Sequence, residues 1–149
     1  MIIGSVAVIF AFAQGQELPK QAQLRPGEVL RVLERTMSRR GTFESVLVLT
    51  SSKAFIKEGD ARHSMVLNPY QQSLLKAILA KEPVGLRAKK RPNPMWPSAY
   101  DASDMWITYR IGRTMNRWGN NDYEYPTDNC PLTKLIEEVK TQMNPMPNQ

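Results

Sequence analysis

One cysteine, Cys130, and one histidine, His63, are all the thiol and imidazole chemistry in the 149 residues of this chain. A lone cysteine forbids an internal disulfide, so the chain stands outside the small secreted folds held by disulfide frameworks. With one His and one Cys, half of a usual zinc ligand set would have to be carboxylates, which disfavours zinc. No GxGxxG or Walker A pattern occurs, so no phosphate cradle is announced. Glu44 and Glu58 show no carboxylate partner of the kind glycoside hydrolysis needs. No cofactor and no metal are therefore expected, and no internal repeat at a period of roughly 20 to 50 residues is visible.

The first fifteen residues lack charge altogether. Met1 to Gly15 reads MIIGSVAVIFAFAQG, and its apolar run from Ile2 to Ala13 falls short of the roughly 20 residues that a membrane span needs. No stable membrane span is expected. The run suits the apolar region of a signal peptide, and Ala13 and Gly15 have the small-residue spacing that cleavage requires, although no Lys or Arg precedes the run. The expectation is a secreted or periplasmic protein after cleavage near Gly15. The alternative is a buried first strand or helix, because VAVIFAF is rich in strand-favouring residues.

What is present is ordinary for a folded protein. Hydrophobic residues make up 42% and charged residues 23%, and twenty Lys and Arg against fourteen acids leave a net charge of +6. That balance favours acidic partners without naming one. The domain organisation expected is a signal-like segment at 1–15, a polar linker at 16–24, one globular domain at 25–143 and a frayed tail at 144–149.

Within the domain, Pro26 to Arg40 reads as a helix, with Val29, Leu30, Leu33 and Met37 at helical spacing. Phe43 to Leu49 reads as a strand. Ala54–Lys57, Glu58–Asp60 and Arg62–Leu67 read as a hairpin. Asn68-Pro69-Tyr70-Gln71 starts a helix with a capping box, whose face is Leu74, Leu75, Ile78 and Leu79. Glu82 to Tyr100 is a proline-broken loop. A further helix is expected after Asp101, with the stripe Ile107, Ile111, Met115 and Trp118. A last one begins at Pro131, with Leu132, Leu135, Ile136, Val139 and Met143 inward. The fold class expected is α+β: about four helices packed on a small antiparallel sheet of about three strands.

Three groups of residues carry candidate chemistry. Arg110, Arg113 and Arg117 fall on one face of the expected helix, beside Tyr109 and close in sequence to Trp106 and Trp118. Lys89, Lys90 and Arg91, with Trp96 nearby, lie in the preceding loop. Cations beside aromatic rings suit the grip of a polyanion, although arginines on an amphipathic helix are more commonly a plain solvated face. Cys130 precedes Pro131 at a helix N-terminus, where a thiol is acidified, and a strand-borne His63 facing it would make a Cys–His dyad. The order of histidine before cysteine resembles circularly permuted papain-like hydrolases, a likeness of two residues. The acidic loop Asn120 to Asp128 lacks EF-hand spacing, and reads as solvated rather than as a calcium site.

The function expected is an exported, non-enzymatic binding module whose basic, aromatic-flanked surface takes an acidic polymer or an acidic protein surface. The alternatives are a thiol hydrolase using Cys130 and His63, and an intracellular or viral assembly subunit docking through its apolar N-terminus. Oligomeric state is not legible.

Overall fold

Two-residue loops set the architecture. Arg39–Arg40, Gly59–Asp60 and Gly112–Arg113 each close an antiparallel hairpin, with Ser38 opposite Gly41, Glu58 opposite Ala61 and Ile111 opposite Thr114. Gly59 and Gly112 stand at φ +57° and +59°, the backbone that such tight loops demand and that side chains resist. The computed structural model describes residues 18–83, 85–86, 103–120, 123, 126–127 and 129–143. Its strands are β1 (Leu30–Ser38), β2 (Gly41–Leu49), β3 (Lys53–Glu58), β4 (Ala61–Val66), β5 (Ser103–Ile111) and β6 (Thr114–Gly119), and its helices are α1 (Pro69–Ala80) and α2 (Pro131–Met143). The strands form one antiparallel sheet in the order β4-β3-β2-β1-β5-β6. The third hairpin, β5–β6, thus adds to the free side of β1.

This architecture corrects the expected one. There are two α-helices and six strands among the described residues, rather than about four helices on about three strands. The helix expected from Pro26 to Arg40 is strand β1 with its turn. The helix expected after Asp101 is the hairpin β5–β6. Both segments are buried on more than one side, which removes the clean alternation that marks a half-buried strand.

Both helices lie on one face of the sheet. That face presents Leu30 and Val32 of β1, Leu47 and Leu49 of β2, and Ile107 and Tyr109 of β5, all buried. They pack with Leu75 and Ile78 of α1 and with Leu132, Leu135 and Val139 of α2 in a single apolar cluster. Helix α1 starts as its sequence dictates: Gln71 N donates to Asn68 Oδ1 at 2.8 Å, and Asn68 N donates to Gln71 Oε1 at 3.0 Å. The Gln71 amide, fully buried, also donates to Gln142 Oε1 at 2.9 Å and so ties α1 to α2. Lys140 of α2 pairs with Glu34 of β1. Among the described residues no helix is long and apolar enough to cross a membrane.

Among the described residues, the other face carries one short covering. Of the stretch expected as a linker, Lys20–Ala22 forms a 3-10 turn. Its Ala22 is fully buried against Leu33 and Trp106, with Leu18 and Val46 packed alongside. Arg31 holds the turn in place by donating from Nη1 to the Gln21 carbonyl at 2.7 Å.

Candidate functional site

Side chains alternate across a strand, so the register assigns each residue of the open face to a row. One row runs Ser64, Phe55, Val48, Arg31, Thr108, Arg117 from β4 to β6. The next runs Arg62, Lys57, Val46, Leu33, Trp106, Gly119. Strands lie about 4.8 Å apart, so these rows are about 24 Å wide. The 3-10 turn sits over the middle of the second row. Towards β4 the face is uncovered by the described residues.

There, a cleft of about 500 Å³ opens beside the turn. Gln21 and Arg25 form one wall, Val46 and Val48 the floor, and Phe55, Lys57 and Arg62 the far side. A second hollow of about 450 Å³ continues it past Glu44 and Thr42, and the two share Gln21, Val46 and Lys57. Phe55 is 42% exposed, unusual for a phenylalanine in the middle of a strand pair.

The charges on this side are unequal. Glu28 grips Arg31 through two bonds of 2.9 Å, and its carboxylate also accepts from the Arg25 backbone N–H. Burial alone would push the Glu28 carboxyl up, but those donors and the charges of Arg31 and Arg25 hold it below its ordinary value. Glu44 takes the Nε–H of Arg35 at 2.8 Å. Asp104 lies across from Arg35 and is 7% exposed. Burial pushes its carboxyl up, and Arg35 only partly opposes that. The Arg35 guanidinium in turn lies 5.3 Å from the centre of the Trp106 ring. Each acid of this face thus has an arginine beside it. Lys57 and Arg62 have no carboxylate partner among the described residues.

The expected site residues separate as follows. Arg110 and Arg117 lie on strands, not on a helix. Because Arg110 pairs with Met115 and Thr108 with Arg117, both still reach one face, the open one. Arg113 is in the exposed turn between them. Lys89, Lys90, Arg91 and Trp96 lie outside the described residues, as do the signal-like segment 1–15 and most of the acidic loop. Cys130 is fully buried in the apolar core just before α2, whereas His63 is exposed opposite Ile56 on edge strand β4. Sequence reasoning missed Arg25, Phe55, Lys57 and Arg62. The signal was present in the alternation Lys53, Phe55, Lys57, which puts a phenylalanine on the polar side of the hairpin.

The chain matches no protein-family model and no curated protein. The geometry of the open face therefore carries the functional reading.

Proposed function

We propose that this protein is a binding module that takes an acidic partner on the open face of its sheet, in the cleft between the 3-10 turn and β4. One observation carries the reading: Lys57 and Arg62 stand side by side as cross-strand neighbours on the wall of a preformed cleft, and neither forms an ion pair with a carboxylate among the described residues. Two adjacent like charges repel one another by a few tenths of a kcal/mol to about 1 kcal/mol, a cost that an anionic ligand removes. Arg25 faces them across the cleft, and Arg110 and Arg117 extend the positive charge towards β6. Thiol chemistry through Cys130 and His63 has less support, because the thiol is packed among apolar side chains and the imidazole lies exposed on the sheet edge.

The test is retention on heparin resin at low salt, followed by elution on a salt gradient. Wild-type protein is expected to bind and to elute earlier after Lys57→Glu with Arg62→Glu. Both positions are exposed, so the variant should keep its stability to within about 0.5 kcal/mol. Passage of the folded wild type through the resin at low salt would end the proposal.

A further inference from the structure

The cleft holds more than charge. A polyanion site that recognises phosphate or sulfate alone needs cations and hydrogen-bond donors, and gains nothing from an exposed aromatic ring. Here Phe55 lies on the open face, 42% exposed, in the strand position next but one to Lys57. Residues two apart on a strand share a face and stand about 6.6 Å apart along it, so the ring and the Lys57 ammonium can be reached by one ligand. Val48 lies directly across from Phe55 and gives the ring a flat apolar flank, while Ser64 on its other side supplies a hydroxyl.

We infer that the cleft takes single-stranded nucleic acid, with a base stacked on Phe55 and the backbone phosphates held by Lys57, Arg62 and Arg25. The inference rests on the reading of the open face as an anion site and names the ligand class for it. Three features separate this ligand from other polyanions. The ring offers a π-face to an unpaired base, which a duplex keeps inside its stack and a sulfated sugar lacks. The floor of Val46 and Val48 is apolar and suits the edge of a base rather than a hydrated sugar. The groove is bounded by Gln21 and the 3-10 turn on one side, an edge along which a single strand can run.

The experiment is fluorescence anisotropy of the full chain with labelled oligothymidylate and labelled oligouridylate, against a duplex of the same length and against labelled heparin. Single strands are expected to bind more tightly than the duplex, with a log–log salt slope of about −2 for three phosphate contacts. Phe55→Ala should weaken single-strand binding about tenfold and leave heparin binding unchanged. Phe55→Tyr, which keeps the ring, should restore single-strand binding. Lys57→Ala with Arg62→Ala should reduce the slope to about −0.7 and weaken both ligand types. Equal binding of heparin and single strands, with no effect of Phe55→Ala on either, would overturn the ligand class and leave the anion site standing. Duplex bound as tightly as single strand would overturn the ligand class in the same way. Absence of binding to every probe at low salt would overturn both.

Discussion

The two faces of the sheet obey different rules. The face under α1 and α2 is apolar from β6 to β3, and its side chains interlock with two helices that are themselves bonded together through Gln71 and Gln142. Among the described residues, the opposite face has a single turn of chain laid across it, fixed by Arg31 to a backbone carbonyl, and beyond that turn it ends in Lys57 and Arg62, neither ion-paired to a carboxylate, and an exposed ring. A sheet this size needs only one well-covered face to be stable. The second face is then available for recognition, and its composition has to be explained by something other than stability. Aromatic and arginine side chains that add little to the fold are among the residues that interfaces favour.

If that division holds, substitutions on the two faces should separate stability from binding. Leu135→Ala removes a fully buried side chain from the covered face and is expected to cost about 2–5 kcal/mol, read from urea unfolding. Oligonucleotide affinity per folded molecule should not change. A loss of affinity in the folded fraction would mean that the faces are coupled, and the comparison would fail. Asn68→Ala comes next. It removes the side chain that caps α1 and half of the reciprocal box with Gln71, at a cost of about 1 kcal/mol. Because Gln71 also bridges to α2, the loss should reach the helix pair and not the open face. Hydrogen exchange should quicken in α1 and α2 while the β3–β4 amides stay as protected as before.

The covered face was the more legible of the two in the sequence, although half of its strands were misread. The capping box at Asn68 and the stripe from Leu132 to Met143 are local signals, and both helices form where those signals lie. The β3–β4 hairpin is equally local, with Gly59 at its turn. Strand β1 misled because Leu30 and Val32 are buried under the helices while Leu33 is buried under the 3-10 turn. Burial on both faces lets Val29, Leu30, Leu33 and Met37 imitate a helical stripe. In β5–β6 the imitation has another origin. Ile107 and Trp118 meet as cross-strand partners, and their separation of eleven residues also fits three helical turns. Gly112, first in a two-residue loop, was the mark that distinguishes the two. Arg110 and Arg117 were placed on one face by helical spacing, and they share one by strand pairing. The alternation Lys53, Phe55, Lys57 marked a phenylalanine on the polar side of the hairpin, but outward cations such as Lys57 and Arg62 look the same in sequence whether they meet solvent or a ligand.

The smallest expected effect sharpens the comparison within the open side itself, between the end where Glu28 holds Arg31 and the end where Asp104 lies near Arg35. Glu28 sits below its ordinary value of 4.5, because three hydrogen bonds and two positive charges outweigh its burial. The folded state therefore binds fewer protons than the unfolded chain just below pH 4.5. Its contribution to stability is complete above that pH and is lost as pH falls through the folded value. Asp104 has the opposite sign. Burial raises it above its ordinary 3.8, and Arg35, already bonded to Glu44, does not compensate. Between 3.8 and the raised value the folded state binds more protons, so Asp104 lowers stability as pH climbs through that window and keeps it lower above. Chemical denaturation across the acid range should show this directly. Glu28→Gln should be less stable than wild type at neutral pH, with the gap closing as pH falls below 4.5. Asp104→Asn should be more stable at neutral pH, with its advantage disappearing as pH falls towards 3.8. Shifts of the same sign in the two variants would mean that one of these carboxylates is not placed as described. Opposite signs would locate the stored electrostatic cost beside Trp106 and Arg35, away from the cleft at β4 and the cations that face its ligand.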